Sequence, residues 1–367
     1  MTAVQQHHST DAPTDAPSGE EVEAFLGRIL GDLAGTMTTV LCALGDKVGL
    51  LGTLGSSGPA TAPELAQRTG LDERYVHEWL RGLHASGYLD HDRASDRFTL
   101  PPAHASVLAH EGGPAFLGGV YQELIGMLPM LERIASAFRH GGGVSQAAYP
   151  EDAYDGIARF TRGWFDHRLL GEWLPALPDL EARLRQGARW ADVGCGSGLA
   201  VIRLAQAFPA STFVGYDVFP AQVERARRAA EEAGVGGRVS FEVIDGAAGL
   251  PAPYDVISTF DVVHDAQDPA GLVAGIRRSL VDDGTYLWLE MNCADDPAEN
   301  AGPIATVMYG FSILYCMTTS LAQGGAGLGT CGCPPGIVDR LGRDAGFQVV
   351  RELAIGDPFN RLYELRP

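Results

Sequence analysis

The sequence predicts an α/β protein, with an open and mainly parallel sheet in the C-terminal half and a smaller α-helical domain ahead of it. Three observations predict it. At residues 189–201 a short apolar strand turns through Gly194, Gly196 and Gly198 straight into a helix. Three more apolar strands follow at the spacing of strand–helix units, each ending in an acid: Asp217, Asp245 and Asp261. Nearer the N-terminus, residues 62–100 read as helix, glycine turn, helix and two short strands round a polar turn, a winged-helix pattern.

Residues 1–20 are polar and rich in Thr, Pro, Ser and Asp, and are expected to be a disordered tail. They lack an apolar run of the kind a secretory signal needs. Over residues 22–54 Phe25, Ile29, Leu33, Met37, Val40, Leu41, Leu44, Val48 and Leu51 recur at threes and fours, so one helix with a wide apolar stripe is expected. That stripe has to be covered. A second subunit is the favoured cover, which makes residues 21–110 a helical dimerisation and winged-helix domain; burial within one chain is the other reading. DNA binding is disfavoured there, because five arginines between Ala60 and Ala105 face seven acids. The would-be recognition helix also opens on Asp72-Glu73, at the end that should meet phosphate.

Residues 111–186 read as a helical linker and roof, apolar over 115–138, broken at residues 141–143, and aromatic over 153–174 (Tyr154, Phe160, Trp164, Phe165, Trp173). Residues 187–367 form the α/β domain. Its fifth strand, 285–290, follows an expected turn at 281–284. An insertion at 292–335 is expected to close over the sheet's edge, with a helix at 304–317 and a glycine-rich run at 322–330. Such a run serves either a mobile lid or tight backbone packing. A helix at 334–346 and two strands, 347–350 and 361–365, finish the sheet.

A chain of 367 residues exceeds one ordinary core. The net charge of −19 repels nucleic acid and anionic membrane surfaces, so neither is expected as a partner. No uninterrupted apolar run approaches the ~20 residues of a membrane span. Six cysteines without a signal imply reduced thiols and a cytoplasmic location. Cys331-Gly-Cys333 has too short a spacer for a zinc knuckle, and no metal is assigned.

Polar strand ends gather at one edge of a parallel sheet, where open α/β sheets bind ligands. Asp192, Gly194, Gly196 and Gly198 would cradle the ligand, and the acid Asp217, with Val218, suits a ribose diol. Asp245 and Gly246 are placed for an exocyclic amine, with Phe260 and Asp261 at the fourth strand end. The order Asp192-x-Gly-x-Gly-x-Gly, Asp217, Asp245 resembles the class I S-adenosylmethionine-dependent methyltransferases and lacks the GxGxxG spacing of dinucleotide enzymes. That resemblance implies a Rossmann-like seven-stranded methyltransferase sheet and S-adenosyl-L-methionine as cofactor.

A sulfonium methyl donor needs no activation, so catalysis reduces to positioning the acceptor and taking its proton. His264, just past the fourth strand, is the candidate base, with Asp265 beside it to hold a tautomer and Glu290 on the next strand to brace it. The order of winged helix, helical roof and cofactor domain is similar to the small-molecule O-methyltransferases of plant and bacterial natural-product pathways. His264-Asp265 matches their His-Asp-Trp motif with Ala266 in place of Trp. This implies a homodimer acting on a small-molecule hydroxyl. Residues 316–330 also resemble a stretch shared by actinobacterial winged-helix methyltransferases. The same architecture includes metal-bearing 2-oxo acid C-methyltransferases that use a His-Asp pair and a further His. That further position falls near Tyr315-Cys316, leaving Cys316 as the only substitute. A cofactor-sensing winged-helix regulator is the alternative of another class.

Overall fold

A computed structural model describes residues 17–367; the expected tail lies outside the described residues as far as residue 16. By its internal contacts the chain divides into two compact units, one ending at Pro101 and the other spanning Pro102–Pro367.

The first unit opens on α1 (Gly19–Lys47), started by a capping box between Ser18 and Glu21. The single helix expected over 22–54 is in fact two. Gly49 takes a left-handed φ of 77°, which ends α1 and starts α2 (Leu50–Ser57). The apolar stripe of α1 is uncovered in the single chain, with Phe25, Leu26, Leu30, Leu33 and Met37 each more than half exposed. Next come α3 (Ala62–Thr69), α4 (Glu73–Ala85) and an antiparallel wing of β1 (Asp90–Asp92) and β2 (Arg97–Thr99). Trp79 of α4 donates its indole N–H to the Leu41 carbonyl at 2.8 Å, and its ring lies against Gly45, where a Cβ would come within 2.3 Å. The carboxylate of Asp72 accepts from the N–H groups of Arg74 and Tyr75. The N-terminus of α4 is thus already occupied by a negative charge.

The second unit begins with α5 (Pro102–Leu108), α6 (Gly118–Met127), α7 (Leu131–His140) and α8 (Glu151–Gly163). Helices α6 and α8 meet backbone to backbone: a Cβ on Gly119 would lie 2.4 Å from the Phe160 nitrogen, and one on Gly126 2.6 Å from that of Ala153. The chain of α8 continues through a π-helical stretch, Trp164–Trp173, toward α9 (Pro178–Gln186).

The α/β body then runs β3 (Arg189–Val193), α10 (Leu199–Ala207), β4 (Thr212–Asp217), α11 (Pro220–Glu232), β5 (Val239–Val243), β6 (Tyr254–Phe260), α12 (Pro269–Ser279) and β7 (Leu280–Met291). After the insertion come α15 (Pro335–Asp344), β8 (Val349–Leu353) and β9 (Asn360–Arg366), the insertion itself carrying α13 (Gly302–Phe311) and α14 (Met317–Ala322). The seven strands lie in the order β5-β4-β3-β6-β7-β9-β8, parallel except for β9, which runs against both of its neighbours. This is the expected seven-stranded, Rossmann-like sheet closed by an antiparallel pair. The chain leaves β3 toward β4 and β5, then returns to β6 on the other side, so the cleft opens between the tips of β3 and β6.

Residues 281–284 are not a separate turn but part of β7, which pairs with β6 through an irregularity between Tyr254 and Val256. Helices Gly19–Lys47 and Gly302–Ala322 are long and apolar enough on average to cross a bilayer, even though neither is an uninterrupted apolar run.

Candidate active site

Strand β3 delivers Asp192 to the sheet edge. Ser258 on β6 donates to its carboxylate at 2.6 Å and accepts from the Trp190 indole at 2.8 Å, so the acid is fixed before any ligand arrives. Burial pushes its pKa up to about 7. Beyond it the three glycines take φ values of 73°, 52° and 77°. Their surroundings differ. A Cβ on Gly194 would strike Val262 and one on Gly198 would strike Phe241, whereas nothing lies within 4 Å of the position over Gly196. Two glycines serve packing and the middle one leaves room for a ligand.

Asp217 ends β4 and folds back, accepting from the Gly196 N–H at 2.9 Å and the Phe219 N–H at 2.8 Å. Asp245 caps a short turn by accepting from the Ala247 N–H at 3.0 Å. Phe260 closes the wall between Phe165 and Trp173. Asp261 sits in the left-handed region at φ 57°, held there by two bonds from the Asn360 amide at 2.9 and 3.0 Å. Burial first, and then Glu290, push its pKa up to about 8.

These residues surround a cavity of about 790 Å³, large enough for a nucleoside cofactor together with a small acceptor. Asp192, Gly194, Gly196, Asp217, Val218, Asp245, Gly246, Phe260, Asp261, His264 and Asp265 all line it. Gly198 and Glu290 stand behind the wall.

His264 is buried, not a solvated loop residue. Its Nδ1 lies 2.6 Å from Glu290 Oε2, while Glu290 Oε1 accepts from the Trp288 indole at 3.0 Å. Glu290, not Asp265, therefore holds the imidazole through Nδ1, and the ring also meets Cys316. Burial opposes the charged imidazole, but Glu290 and Cys316 outweigh it and hold the His264 pKa well above 6.5. Burial likewise pushes Asp265 up to about 7. Ligating atoms of His264, Asp265 and Cys316 lie within 4.8 Å of one another.

The glycine-rich run is the tight-packing alternative. It clamps the His264 turn, with Gly329 donating to the His264 carbonyl and Ala326 to the Gln267 carbonyl, each at 3.0 Å. Ser320 on α14 donates to the Ala266 carbonyl at 2.9 Å. Sequence reasoning missed Asn360 and Glu123. No local pattern marks either: Asn360 reaches Asp261 only because β9 pairs with β7, placing it opposite Met291.

The fold and the site define an α/β domain with an acidic cleft at the tips of its strands and a buried His–Glu pair at the cleft's wall. Comparison with known proteins narrows this. Residues 36–110 match the family "Rv2258c-like winged HTH domain" and residues 191–286 the family "Methyltransferase domain". A 3-hydroxy-5-methyl-1-naphthoate 3-O-methyltransferase of Streptomyces sahachiroi is 27% identical over 78% of this chain and 82% of its own. The polyketide synthase ThaQ of Burkholderia thailandensis is 35% identical over 28% of this chain but only 5% of its own length. A ubiquinone biosynthesis O-methyltransferase of Xylella fastidiosa is 33% identical over 39% of this chain and 61% of its own. The chain thus spans less than two thirds of these last two relatives. Among solved structures, mitomycin 7-O-methyltransferase superposes with a TM-score of 0.67 at 20% identity, covering 95% of this chain and 100% of that one. The chain thus joins a winged-helix domain to a methyltransferase domain, in the fold of solved O-methyltransferases.

Proposed function

We propose that the protein transfers a methyl group from S-adenosyl-L-methionine to a hydroxyl of a small molecule, in natural-product biosynthesis, with His264 as general base. The observation that carries this is the 2.6 Å contact between His264 Nδ1 and Glu290 at the wall of the cavity that also holds the glycine turn. The donor fits the residues present: open space over Gly196 for its backbone approach, Asp217 at the tip of β4 for a ribose diol and Asp245 past β5 for an exocyclic amine. Bound there, it supplies an electrophilic methyl on sulfonium. The chain's own part is to receive the acceptor's proton at His264 Nε2 while Glu290 matches the imidazolium charge, and to exclude water with the aromatic wall. A mitomycin 7-O-methyltransferase and a methyltransferase of calicheamicin biosynthesis among the structural neighbours support the acceptor class.

A second reading is metal-assisted C-methylation of a 2-oxo acid, favoured by the clustering of His264, Asp265 and Cys316. Against it, no lysine or arginine among the described residues lines the cavity to meet the acid's carboxylate. Turnover of His264→Ala with labelled donor separates the possibilities. A general base predicts a loss of ~10²-fold or more with cofactor affinity unchanged, and wild-type turnover indifferent to EDTA. Near-normal turnover of the variant would remove His264 from this role, and inhibition by EDTA reversed by a divalent metal would favour the second reading.

We further propose a homodimer seated on the α1 stripe and a cytoplasmic location, the latter supported by six free thiols. The acid-capped α4 supports an assembly role for the winged helix over contact with nucleic acid.

A further inference from the structure

The cavity's charge is one-sided. Seven carboxyl-bearing side chains line it, His264 is its only histidine, and no lysine or arginine among the described residues reaches it. Most of these acids already have an assignment. Asp192, Asp217 and Asp245 face the methyl donor's end, Asp261 is held by Asn360, and Asp268 caps α12 by accepting from the Gly271 N–H at 2.9 Å. Asp265 lies against His264.

Glu123 is different. It stands on α6, not on a strand end, and accepts no hydrogen bond and makes no ion pair with any described residue. Its neighbour Gln122 accepts from Arg159 at 2.7 Å, and the same guanidinium donates to Glu111 at 2.6 Å. A Cβ on Gly156 of α8 would fall 2.3 Å from the Glu123 nitrogen and 2.6 Å from its Cα, so the two backbones are already in contact. Around it the wall is apolar and aromatic, with Val120, Ile157, Phe160 and Trp164. Burial pushes the Glu123 pKa up to about 8, the mark of a carboxyl without a counter-charge. Such a group is costly unless a ligand pairs with it.

We propose that Glu123 is the acceptor-recognition residue, and that the acceptor is an alcohol or phenol bearing an amino or other cationic group, carboxylates being excluded. The proposal rests on the methyltransferase reading above, which sets the acceptor's hydroxyl at His264. The cationic end then lies against Glu123 and the aromatic faces of Phe160 and Trp164, which also favour a cation. The acidic field of the whole chain draws the same class of molecule to the mouth of the cavity and repels anions.

Calorimetry on the full-length protein tests this with three matched phenols: 4-(2-aminoethyl)phenol, 4-(2-hydroxyethyl)phenol and 3-(4-hydroxyphenyl)propanoic acid. S-adenosylhomocysteine is titrated first. The amine is expected to bind at least ~10-fold tighter than the acid, with the neutral phenol between them. Glu123→Gln should weaken the amine by roughly 10- to 100-fold, the range for a hydrogen bond to a charged group. It should leave the neutral phenol and S-adenosylhomocysteine unaffected. Glu123→Lys should reverse the order of amine and acid. Absence of amine binding, an acid that binds as tightly as the amine, or a Glu123→Gln variant that keeps the wild-type preference would each overturn the proposal. Failure of S-adenosylhomocysteine to bind would instead count against the cofactor reading, and the same ranking measured on the free protein would still judge Glu123.

Discussion

His264 owes its chemistry to what lies behind it. In water an imidazole is half-protonated near pH 6.5. Here Glu290 touches it at 2.6 Å and overrides the effect of burial, so the charged form persists to higher pH. A general base acts in its neutral form. The acid limb of kcat/KM, measured against pH, should therefore lie above pH 6.5 in the wild-type enzyme. Glu290→Gln removes the charge that raised the pKa and leaves burial, which lowers it. The limb should move to lower pH while the plateau falls by about ten-fold or more. A limb that stays in place would mean that another group sets it.

Gly196 offers a second test at this scale. Its φ of 52° and the open space above it mean that a side chain would project into the cleft from a backbone that resists one. Gly196→Val should abolish S-adenosylhomocysteine binding in calorimetry. Unchanged affinity would place the nucleoside elsewhere. Gly194 and Gly198 would fail such a test for another reason, since their Cβ atoms collide with Val262 and Phe241.

Among the elements, the glycine-rich segment after α14 has the clearest consequence. A Cβ on Gly325 would lie 2.6 Å from Ser320 Oγ and 2.7 Å from the Gln267 Cα, with no flexible group on the backbone side to yield. Gly325→Ala should push this segment off the His264 turn. The expected cost is about 1–3 kcal/mol in stability, with a drop in kcat larger than any change in cofactor affinity. Thermal unfolding and single-turnover rates would show both. Equal loss of cofactor binding would contradict a role confined to the His264 side. The crossing of α6 and α8 works the same way: glycines at 119, 126 and 156 set the two backbones so close that Glu123 has a fixed address.

For the molecule as a whole, the unresolved balance is the α1 stripe. Leu30 is 69% exposed and Phe25 61%, part of an apolar run gathered along a single helix. Leu30→Asp should convert a sedimenting dimer to monomer while the S-adenosylhomocysteine affinity of the second unit holds. A wild-type protein that sediments as a monomer would leave the stripe for some other cover.

The pattern along the chain determined a good deal without any coordinates. Alternating apolar strands, glycine turns and acids at strand ends are local features, so the seven-stranded sheet was legible, and so was the placing of the glycine turn, Asp217 and Asp245 along one cavity. His264 was legible too, because it follows a strand directly. The 22–54 helix was misjudged where a single residue, Gly49, adopted a left-handed φ that apolar spacing does not signal. Only the tertiary structure decided that Glu290 and not Asp265 grips the imidazole, that Asn360 props Asp261, and that Glu123 stands alone among apolar neighbours. Each depends on residues between about 26 and 100 positions apart, or on the lack of any partner, and is set by strand register and helix crossing. Periodicity reports which face a residue takes on its own element; it carries no record of what the fold brings to meet that face.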